Sequence, residues 1–460
     1  MSSSASPAPS SGKTILIDGY NLGLEKGTGV ATYARNLSYE LHELGHQVSV
    51  LYGNRASSPR EELLREIAFF DGPLEQHRFF ELLERAKQSL RGPLSYKAKQ
   101  VPVSGKVVTR TFSSRLPYYD ALYNSNDVFK NAQGAFWVWK RLVDVRLPKR
   151  HDLAHWTYPL PVKVPGIPNI YTLHDLVPLR LPYTTLDNKR RYHKLMKLLG
   201  QQADHIVTVS ENSKRDLVEL LGFPEEQVTN TYQSVSIPAK YRDKSEDQLA
   251  REVEGITGFG YKEYLLFWGS LEPKKNIARM IEAYLASDVE TPLIIIGAQA
   301  WKSEKELALL SEGLRSEDDR RNGKDAPNPV IAAIARQRGA RKRIVRMDYA
   351  PFSLLVSLIR GAKIALFPSL YEGFGLPALE AMLLGTPVIC TNTSSLPEVV
   401  GDAAYMVDPY DTQAITQAIR TLDADADLRA DLTARGHVQA AKYSPENYRA
   451  RLQSVYEKFL

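Results

Sequence analysis

The feature that most constrains the fold is a regular alternation of short apolar runs with segments of helical period. Residues 13–18 (KTILID) form one such run, and after a loop the apolar side chains recur every three or four residues from Val30 to Leu44. This spacing places them on one face of a helix. Strands that alternate with helices form parallel sheets covered by helices on both faces. We therefore predict an α/β protein built from doubly wound parallel sheets.

The alternation occurs in two series, which indicates two domains of similar design facing a cleft. Between the series, residues 237–260 are charged and show no strong period. We predict a first domain at 13–240, a linker at 241–260 and a second domain at 261–444. Residues 1–12, rich in Ser, Ala and Pro, are expected to be a disordered lead-in rather than a signal peptide. The predicted strands lie at 13–18, 47–52, 169–173, 205–209, 264–268, 293–296, 343–346, 363–367, 386–390 and 404–407.

The composition excludes several classes of protein. Apolar residues make up 43% of the chain and charged residues 24%, which is typical of a soluble globular protein. No run approaches the roughly 20 apolar residues that cross a bilayer. The single cysteine, Cys390, rules out an internal disulfide and a zinc site of four thiolates. We expect a cytoplasmic protein, either soluble or peripheral on a membrane.

Positive charge is concentrated in one block. Residues 85–150 carry fourteen Lys and Arg against three Asp, a balance of +11 in a chain whose net charge is +6. The block is interleaved with aromatic side chains that include Tyr118, Tyr119, Phe129, Phe136, Trp137 and Trp139. A solvated face over an ordinary core and a surface for an anionic membrane are both open interpretations. We expect no nucleic acid, because no recognisable binding module accompanies the charge.

The strongest local signal is FPSLYEGFGLPALE, residues 367–380. A predicted strand ends here, a loop with Gly373 and Gly375 follows, and Pro377 marks the start of a helix. Glycines let the backbone approach a ligand closely and a helix N-terminus attracts anions, so this loop is a candidate diphosphate site. Glu372 and Glu380 supply carboxylates, which accept hydrogen bonds from sugar hydroxyls. An ordinary strand-to-helix connection is the alternative.

A second signal is FWGSLEPKKN, residues 267–276. Lys274 and Lys275 lie near the start of the next predicted helix, where the helix dipole disfavours cations. Two lysines are explained there if an anion lies between them and the helix. The alternative is a pair of solvated surface lysines.

Two loops near the first series carry further candidates. In YTLHDLVPL (171–179), His174 follows a strand at the edge where doubly wound folds bind ligands. Thr28 and Gly29 open the first helix and are a candidate phosphate contact. A histidine that only caps a turn is the structural alternative for His174.

Two other patterns are predicted to have no chemical role. Residues 27–29 (GTG) lack the third glycine of a dinucleotide site, and no acidic residue closes the strand 47–52. Asp423, Asp425 and Asp427 match the Asp-x-Asp pattern of metal-dependent transferases. They lie between two predicted helices, however, where acidic residues favour the second helix.

Together these segments resemble the family 4 retaining glycosyltransferases. Residues 367–380 are similar to the family's two-glutamate motif, with seven residues between the carboxylates. Residues 267–276 resemble its donor-diphosphate loop, and 171–179 its His-Asp loop. Other similar segments are TGVATYARNL (28–37), HIVTVSENSKRDL (205–217) and LPEVVGDAAYMVDPYD (396–411). The resemblance covers most of 13–54 and 165–460 in the family's order.

The resemblance implies the GT-B fold, in which two Rossmann-like domains face a cleft and the second binds a nucleotide-sugar. Glu372 would contact the hydroxyls of the donor sugar, and Lys275 would contact the diphosphate. Together with His174, near the sugar in the cleft, they are the candidate catalytic residues. A final helix at 445–460 would return to the first domain. The other candidate donor contacts are Gly29, Ser270, Lys274, Gly373, Phe374, Gly375, Leu376 and Glu380, the last of which would hold the ribose hydroxyls.

Two positions depart from the family's pattern. Many members carry Arg where this chain has Ser270, so one cation for the leaving group is missing, and Lys274 is the residue that would compensate. Where many members read Asn-Gly-Val, this chain has Gln233-Ser234-Val235. Serine enters the left-handed region less readily than glycine, so a different turn is expected.

The resemblance implies transfer with retention at the anomeric carbon, with no cofactor and no obligatory metal. GDP-mannose is the leading donor, on similarity to bacterial polysaccharide mannosyltransferases, and UDP-glucose and dTDP-rhamnose stay open. The basic block favours a saccharide acceptor linked to polyprenyl diphosphate at the inner face of the cytoplasmic membrane. The alternatives are a nucleotide-sugar-binding scaffold without transfer activity, a sugar-nucleotide epimerase of the same fold and a phosphorylase.

Overall fold

The structure is a computed structural model that describes residues 12–23, 29–55, 61–70, 95–107, 116–298 and 344–460. Thr28, part of the basic block and the insertion at 301–340 lie outside the described residues. The strands are β1 (Thr14–Asp18), β2 (Gln47–Tyr52), β3 (Tyr96–Lys97), β4 (Lys99–Val101), β5 (Ala121–Asn124), β6 (Val143–Arg146), β7 (Leu153–Trp156), β8 (Val162–Lys163), β9 (Asn169–Thr172), β10 (His205–Thr208), β11 (Val228–Asn230), β12 (Leu265–Trp268), β13 (Leu293–Ile296), β14 (Ile344–Met347), β15 (Ile364–Phe367), β16 (Val388–Thr391) and β17 (Ala404–Val407).

The helices lie between these strands as the alternation predicts. They are α1 (Gly29–Glu43), α2 (Glu62–Phe70), α3 (Val128–Trp139), α4 (Val177–Arg180), α5 (Lys189–Gln202), α6 (Glu211–Leu221), α7 (Ala239–Arg242), α8 (Glu246–Thr257), α9 (Ile277–Ser287), α10 (Phe352–Gly361), α11 (Leu376–Leu383), α12 (Leu396–Val400), α13 (Thr412–Ala424), α14 (Ala426–Ala441) and α15 (Pro445–Tyr456). Short 3-10 turns occur at Pro182–Thr184, Glu225–Gln227 and Pro273–Lys275. None of the helices that the structure describes is long and apolar enough to span a bilayer.

The first domain is built on an eight-stranded sheet of order β11-β10-β9-β7-β1-β2-β5-β4. Its strand pairs are parallel except for β4 and β5, which run antiparallel at the edge. Four of the five residues of β1 are buried, because helices cover both faces of a parallel sheet. The loops after β1, β7 and β9 leave this sheet at the same edge. His174 lies in the loop after β9.

The second domain holds a six-stranded sheet of order β14-β13-β12-β15-β16-β17, parallel throughout. The order reverses between β12 and β15, and ligands of doubly wound folds bind at such a switch point. The loops that follow these two neighbouring strands are residues 269–276 and 368–375. These are the two loops singled out in the sequence, so the doubly wound fold is confirmed and their juxtaposition is explained.

The segment 241–260, predicted to be a linker without a strong period, is largely helical. Ser245 and Gln248 form a capping box at the start of α8. Leu249 and Val253 are the buried residues of this helix, and Glu252 accepts a hydrogen bond from Ser357 of α10 at 2.7 Å. The segment therefore packs on the second domain, and the charged residues around its two buried positions conceal the period.

The final helix α15 lies against the first domain. Arg449 donates to the Glu40 carboxylate of α1 at 2.8 Å. The Tyr456 hydroxyl hydrogen-bonds the buried His155 of β7, a central strand of the first domain's sheet. Because α15 follows the second domain in sequence, these contacts make it a second connection between the domains.

Candidate active site

A buried ion pair joins the two loops at the switch point of the second domain. The Lys275 Nζ lies 2.6 Å from Glu372 Oε1, and the two side chains expose 11% and 10% of their surface. The Ser369 hydroxyl donates to the same oxygen at 2.7 Å. Burial alone would raise the pKa of Glu372, but the charges of Lys275 and Lys274 outweigh it and lower the pKa. Glu372 is therefore ionised at neutral pH, with both bonds on one oxygen.

The backbone of the glutamate loop presents a row of free N–H groups. Its carbonyl oxygens at Glu372 and Phe374 lie within 2.9 Å of the Ser395 hydroxyl. The amides of Gly373, Phe374, Gly375 and Leu376 donate to none of the described residues. They precede or begin α11, so the partial positive charge of that helix adds to theirs. The arrangement suits a ligand with two or more anionic oxygens.

Neither of the two glycines in this loop has room for a side chain. Gly375 has a φ of +105°, and a methyl group placed on it would lie 2.7 Å from Leu396 Cδ2. A methyl group on Gly373 would lie 2.9 Å from the His174 carbonyl oxygen of the first domain. The loop therefore reaches across the cleft and contacts the His-Asp loop.

The second lysine, Lys274, faces the cleft between several carboxylates. Its Nζ lies 3.7 Å from Glu272 Oε1, which also accepts a hydrogen bond from Ser270 at 3.1 Å. Burial lowers the pKa of Lys274, but the charges of Glu272, Asp175 and Glu372 outweigh it and raise the pKa overall. Lys274 is thus a permanent cation. Ser270 thus supports the carboxylate beside this lysine.

Lys274 and Lys275 precede the next helix, as predicted, and they lie in a short turn of their own. Lys274 and Lys275 belong to a separate 3-10 turn, and α9 begins after Asn276, whose φ is +59°. The Asn276 amide donates to the carbonyl oxygens of Pro368 and Pro409 at 3.0 and 2.8 Å. The Asn276 side chain therefore ties the lysine turn to the glutamate loop.

Glu380 lies one turn into α11 and is held by an aromatic donor. Trp268, the last residue of β12, donates its indole N–H to Glu380 Oε2 at 3.0 Å. Burial raises the pKa of Glu380 to about 7, although this hydrogen bond acts in the opposite direction. Glu380 therefore changes charge near neutral pH. The sequence did not point to Trp268, because a tryptophan at a strand end is most often core.

His174 lies at the edge of the first domain's sheet. Its Nε2 donates to the Thr157 carbonyl oxygen at 2.9 Å, which leaves Nδ1 as the nitrogen without a hydrogen bond among the described residues. Tyr33 presents its ring edge-to-face at a centroid distance of 4.8 Å. Burial lowers the pKa of His174, so the ring is neutral at pH 7. Its carbonyl oxygen lies close to Gly373 of the glutamate loop.

Gly29 brings the first domain close to α11. A methyl group placed on Gly29 would lie 3.7 Å from Leu376 Cδ1. Its neighbour Thr28 lies outside the described residues. The structure thus brings the described candidates of both domains together around one cleft.

The turn before the linker has its left-handed residue two positions before Ser234, the serine that stands where the resemblance places a glycine. Tyr232 has a φ of +56°, and Ser234 is not among the residues with positive φ. Asn36 of α1 donates to the Ser234 carbonyl oxygen at 3.1 Å. The left-handed residue of this turn is therefore Tyr232, whose ring packs between Phe374 and Tyr443.

The Asp-x-Asp pattern has structural partners. Asp425 accepts from the backbone N–H of Leu428 and so caps α14. Asp423 forms an ion pair with Lys363 at 2.7 Å. In the described ranges, no group of three or more His, Cys, Asp and Glu side chains is arranged to hold a metal ion.

The aromatic residues of the basic block divide into two sets. Phe129 and Phe136 are buried in the core of the first domain, whereas Trp137 and Trp139 expose 61% and 48% of their surface at the end of α3. Lys140 follows them, with its Nζ 5.4 Å from the Trp137 ring centroid. The basic helix α5, which carries no acidic residue, lies beside α3 through an Arg191 hydrogen bond. We call these exposed tryptophans with α5 the basic aromatic surface.

Two family models and several known proteins match this chain. A model described as Glycosyltransferase Family 4 matches residues 106–235, and one described as Glycosyl transferases group 1 matches residues 326–439. The chain is 32% identical to O-antigen chain mannosyltransferase B of Escherichia coli over 294 residues, 63% of this chain and 70% of that protein. It is 27% identical to the E. coli serotype-specific mannosyltransferase WbdA over 299 residues and spans about a third of that protein, 34%.

Solved structures share the fold at low sequence identity. Anabaena HepE in complex with UDP and glucose aligns with a TM-score of 0.61 at 13% identity, covering 97% of this chain and 100% of that one. WaaG, a glycosyltransferase involved in lipopolysaccharide biosynthesis, aligns with a TM-score of 0.56 at 14% identity, covering 96% and 99%. The chain therefore belongs to the family 4 glycosyltransferases, and its two doubly wound domains have the GT-B fold.

Proposed function

We propose that the protein transfers a mannosyl group from GDP-mannose to a saccharide acceptor, with retention at the anomeric carbon. One observation supports this most directly. Glu372, ionised and bonded to Lys275 at 2.6 Å, lies beside four backbone amides that precede or begin α11 and donate to none of the described residues. A carboxylate suits sugar hydroxyls, and the lysine and the amides suit a diphosphate.

The charges explain how the site would lower the barrier. Breaking the bond between the sugar and the diphosphate leaves negative charge on the diphosphate and positive character on the sugar ring. Lys275, Lys274 and the amides before α11 would stabilise this developing negative charge, and one such donor is worth about 3 kcal/mol in other enzymes. The Glu372 carboxylate faces the opposite charge. His174 is neutral and its Nδ1 has no hydrogen bond among the described residues, so this nitrogen would be available to the acceptor.

The sugar and nucleotide are proposed from the relatives rather than from the site. Two relatives that align along 63% of this chain are named mannosyltransferases. UDP-glucose and dTDP-rhamnose are the competing donors. Thermal unfolding with a panel of nucleotide-sugars and bare nucleotides distinguishes them, because a ligand at 100 times its Kd stabilises by about 2.7 kcal/mol.

A transfer assay then tests the reaction itself. Radiolabelled GDP-mannose with a mannose-containing lipid-linked acceptor should give a labelled product in which the anomeric configuration of the donor is retained. Without acceptor the donor should persist as GDP-mannose, whereas an epimerase would convert its sugar. No thermal shift with any guanosine nucleotide would refute the donor, and a thermal shift without transfer would favour the scaffold alternative.

Metal independence is part of the proposal. Lys274 and Lys275 would carry the charge that a divalent ion neutralises in other transferases. Transfer should therefore continue at an unchanged rate in excess EDTA. Loss of activity that Mg²⁺ or Mn²⁺ restores would refute this part.

We also propose that the enzyme acts on a polyprenyl-diphosphate-linked acceptor at the inner face of the cytoplasmic membrane. The basic aromatic surface supports this, because exposed tryptophans with lysine and arginine suit the interface of an anionic bilayer. Sedimentation with vesicles rich in anionic lipid should retain the protein at low salt. Trp137→Ser with Trp139→Ser should weaken retention, while Tyr349→Ser, which removes an even more exposed aromatic side chain in the second domain, should not. Equal retention by neutral vesicles, or none, would refute it.

A further inference from the structure

One side chain of the second domain has its hydrogen bonds in the first domain. The hydroxyl of Tyr371, the residue directly before Glu372, donates to the Asp216 carboxylate and accepts from Asn212 Nδ2 at 2.8 Å. Both partners lie on α6. Tyr371 is buried, and Asp216 is 2% exposed, so these bonds are shielded from water.

The buried charge of Asp216 in this contact is balanced by a neighbouring cation. Arg180, at the end of α4, donates to Asp216 through its Nε at 2.9 Å and compensates the buried carboxylate. Burial and the charge of Asp216 together raise the pKa of Tyr371, so the phenol keeps its proton. The hydroxyl is therefore always a donor to Asp216, and Asn212 supplies the hydrogen for its oxygen.

The same helix holds the two loops that meet in the cleft. The Ser213 hydroxyl of α6 donates to the His174 carbonyl oxygen at 2.7 Å and lies 3.4 Å from the Gly373 carbonyl oxygen. At the start of α6, the N–H groups of Glu211 and Asn212 donate to the Glu398 carboxylate of the second domain at 2.9 and 3.0 Å. The first turn of α6 is thus capped by the other domain.

We propose that Tyr371 is a positioning residue that ties the loop carrying Glu372 to α6, so that the relative position of the two domains sets the position of the Glu372 carboxylate. This rests on the proposed function, because it assumes that Glu372 contacts the donor sugar. A shift of α6 away from the second domain would pull on the backbone one residue from Glu372. Nucleotide contacts at Lys275 and Glu380, in contrast, lie wholly within the second domain.

The variant Tyr371→Phe tests this, because it keeps the ring and removes the hydroxyl. Tyr264→Phe is the matched control, since the Tyr264 hydroxyl is also buried and donates at 2.6 Å, but to Leu358 within the second domain. Tyr371→Phe should lower kcat about tenfold or more, the factor expected for a lost hydrogen bond to a charged group. Its Kd for GDP, measured by calorimetry, should stay within twofold of the wild type. Tyr264→Phe should leave kcat unchanged.

Two further measurements separate positioning from loss of structure. In a cycle with Asp216→Ala, the double variant should lose no more kcat than the worse single variant, because both remove one interaction. Small-angle X-ray scattering without ligand should show a larger radius of gyration for Tyr371→Phe than for the wild type and Tyr264→Phe. Wild-type kcat in Tyr371→Phe, multiplicative losses in the double variant, or an unchanged radius would each overturn the proposal.

The scattering measurement also keeps the two proposals apart. If the wild type transfers no sugar from any donor but only Tyr371→Phe expands, the proposed function fails and the contact between domains stands. If the wild type transfers and Tyr371→Phe neither expands nor slows, the positioning role fails and the proposed function stands.

Discussion

The buried pair of Glu372 and Lys275 makes a prediction that separates stability from catalysis. Both side chains are about nine-tenths buried, so removal of one partner leaves a charge without its counter-ion. Breaking such a pair costs about 3–5 kcal/mol. For Lys275→Met we expect the lower end, about 3 kcal/mol, because Ser369 still donates to Glu372 and Lys274 still attracts it. The melting temperature of the second domain should fall by about 6–12 °C.

The double variant Lys275→Met/Glu372→Gln should recover most of this loss. Replacing both members of a buried pair by neutral groups of similar volume is often neutral in stability. Transfer should not recover, because both the cation at the diphosphate and the carboxylate at the sugar are then absent. We expect kcat to fall about a hundredfold or more in each single variant and in the double variant.

Thermal unfolding and a transfer assay on the same four proteins test this prediction. Lys363→Met is the matched control, since Lys363 forms a 2.7 Å pair with Asp423 that is remote from the cleft. It should lower stability but leave kcat unchanged. The reasoning is refuted if stability losses add in the double variant, or if Lys275→Met transfers at the wild-type rate.

The pair also predicts the direction of a pH effect. The pKa of Glu372 is lowered from 4.5 in the folded protein, so the folded state binds fewer protons than the unfolded state near that pH. The stability that this shift supplies is present above pH 4.5 and is lost as the pH falls through the folded pKa. The advantage of the wild type over Glu372→Gln should therefore shrink below pH 4.5, as unfolding at a series of pH values would show.

Three further predictions concern other parts of the site. Burial raises the pKa of Glu380 to about 7, so ionisation of this carboxyl should reduce the stability of the folded protein as the pH rises from 4.5 to 7. In thermal unfolding, the stability of Glu380→Gln relative to the wild type should therefore increase across this pH range and stay constant above it. A stability difference that is the same at every pH would contradict this. Gly373→Ala should reduce transfer at least tenfold, since the new methyl group would lie 2.9 Å from the His174 carbonyl oxygen, while Gly134→Ala, with open space around it, should leave kcat unchanged. Asp425→Ala should remove the cap of α14 and lower the free energy of unfolding by about 1 kcal/mol in denaturant unfolding. The response of transfer to EDTA should not change. A loss of activity that depends on metal would show that the Asp-x-Asp pattern binds a metal ion.

Patterns among neighbouring residues were sufficient to predict most of the secondary structure and the class of fold. The helical period and the strand-sized apolar runs are properties of neighbouring residues, so they identified the elements and the doubly wound fold. The two loops at the switch point were recognisable because glycine, proline, glutamate and lysine have local reasons to occur there. The helical period could not be recognised in α8, because Leu249 and Val253 are the only buried residues of this charged helix.

Contacts between distant residues could not be read in this way. Glu372 and Lys275 are 97 residues apart, and Tyr371 and Asp216 are 155 apart. Trp268 became recognisable as the partner of Glu380 only when β12 and β15 were found side by side. The spacing of Trp137 and Trp139 does not say which aromatic residues of the basic block face water, because burial depends on what packs against α3.

The sequence by itself thus determined the secondary structure elements, the class of fold and the chemical types of the residues in the site. These follow from backbone sterics, side-chain periodicity and local charge, which act over a few residues. Only the tertiary structure decided which carboxylate meets which lysine, which groups change their pKa and how α6 of one domain holds the glutamate loop of the other. Those outcomes depend on burial and on distances between segments that are far apart along the chain, and both are set when the two sheets and the cleft between them have formed.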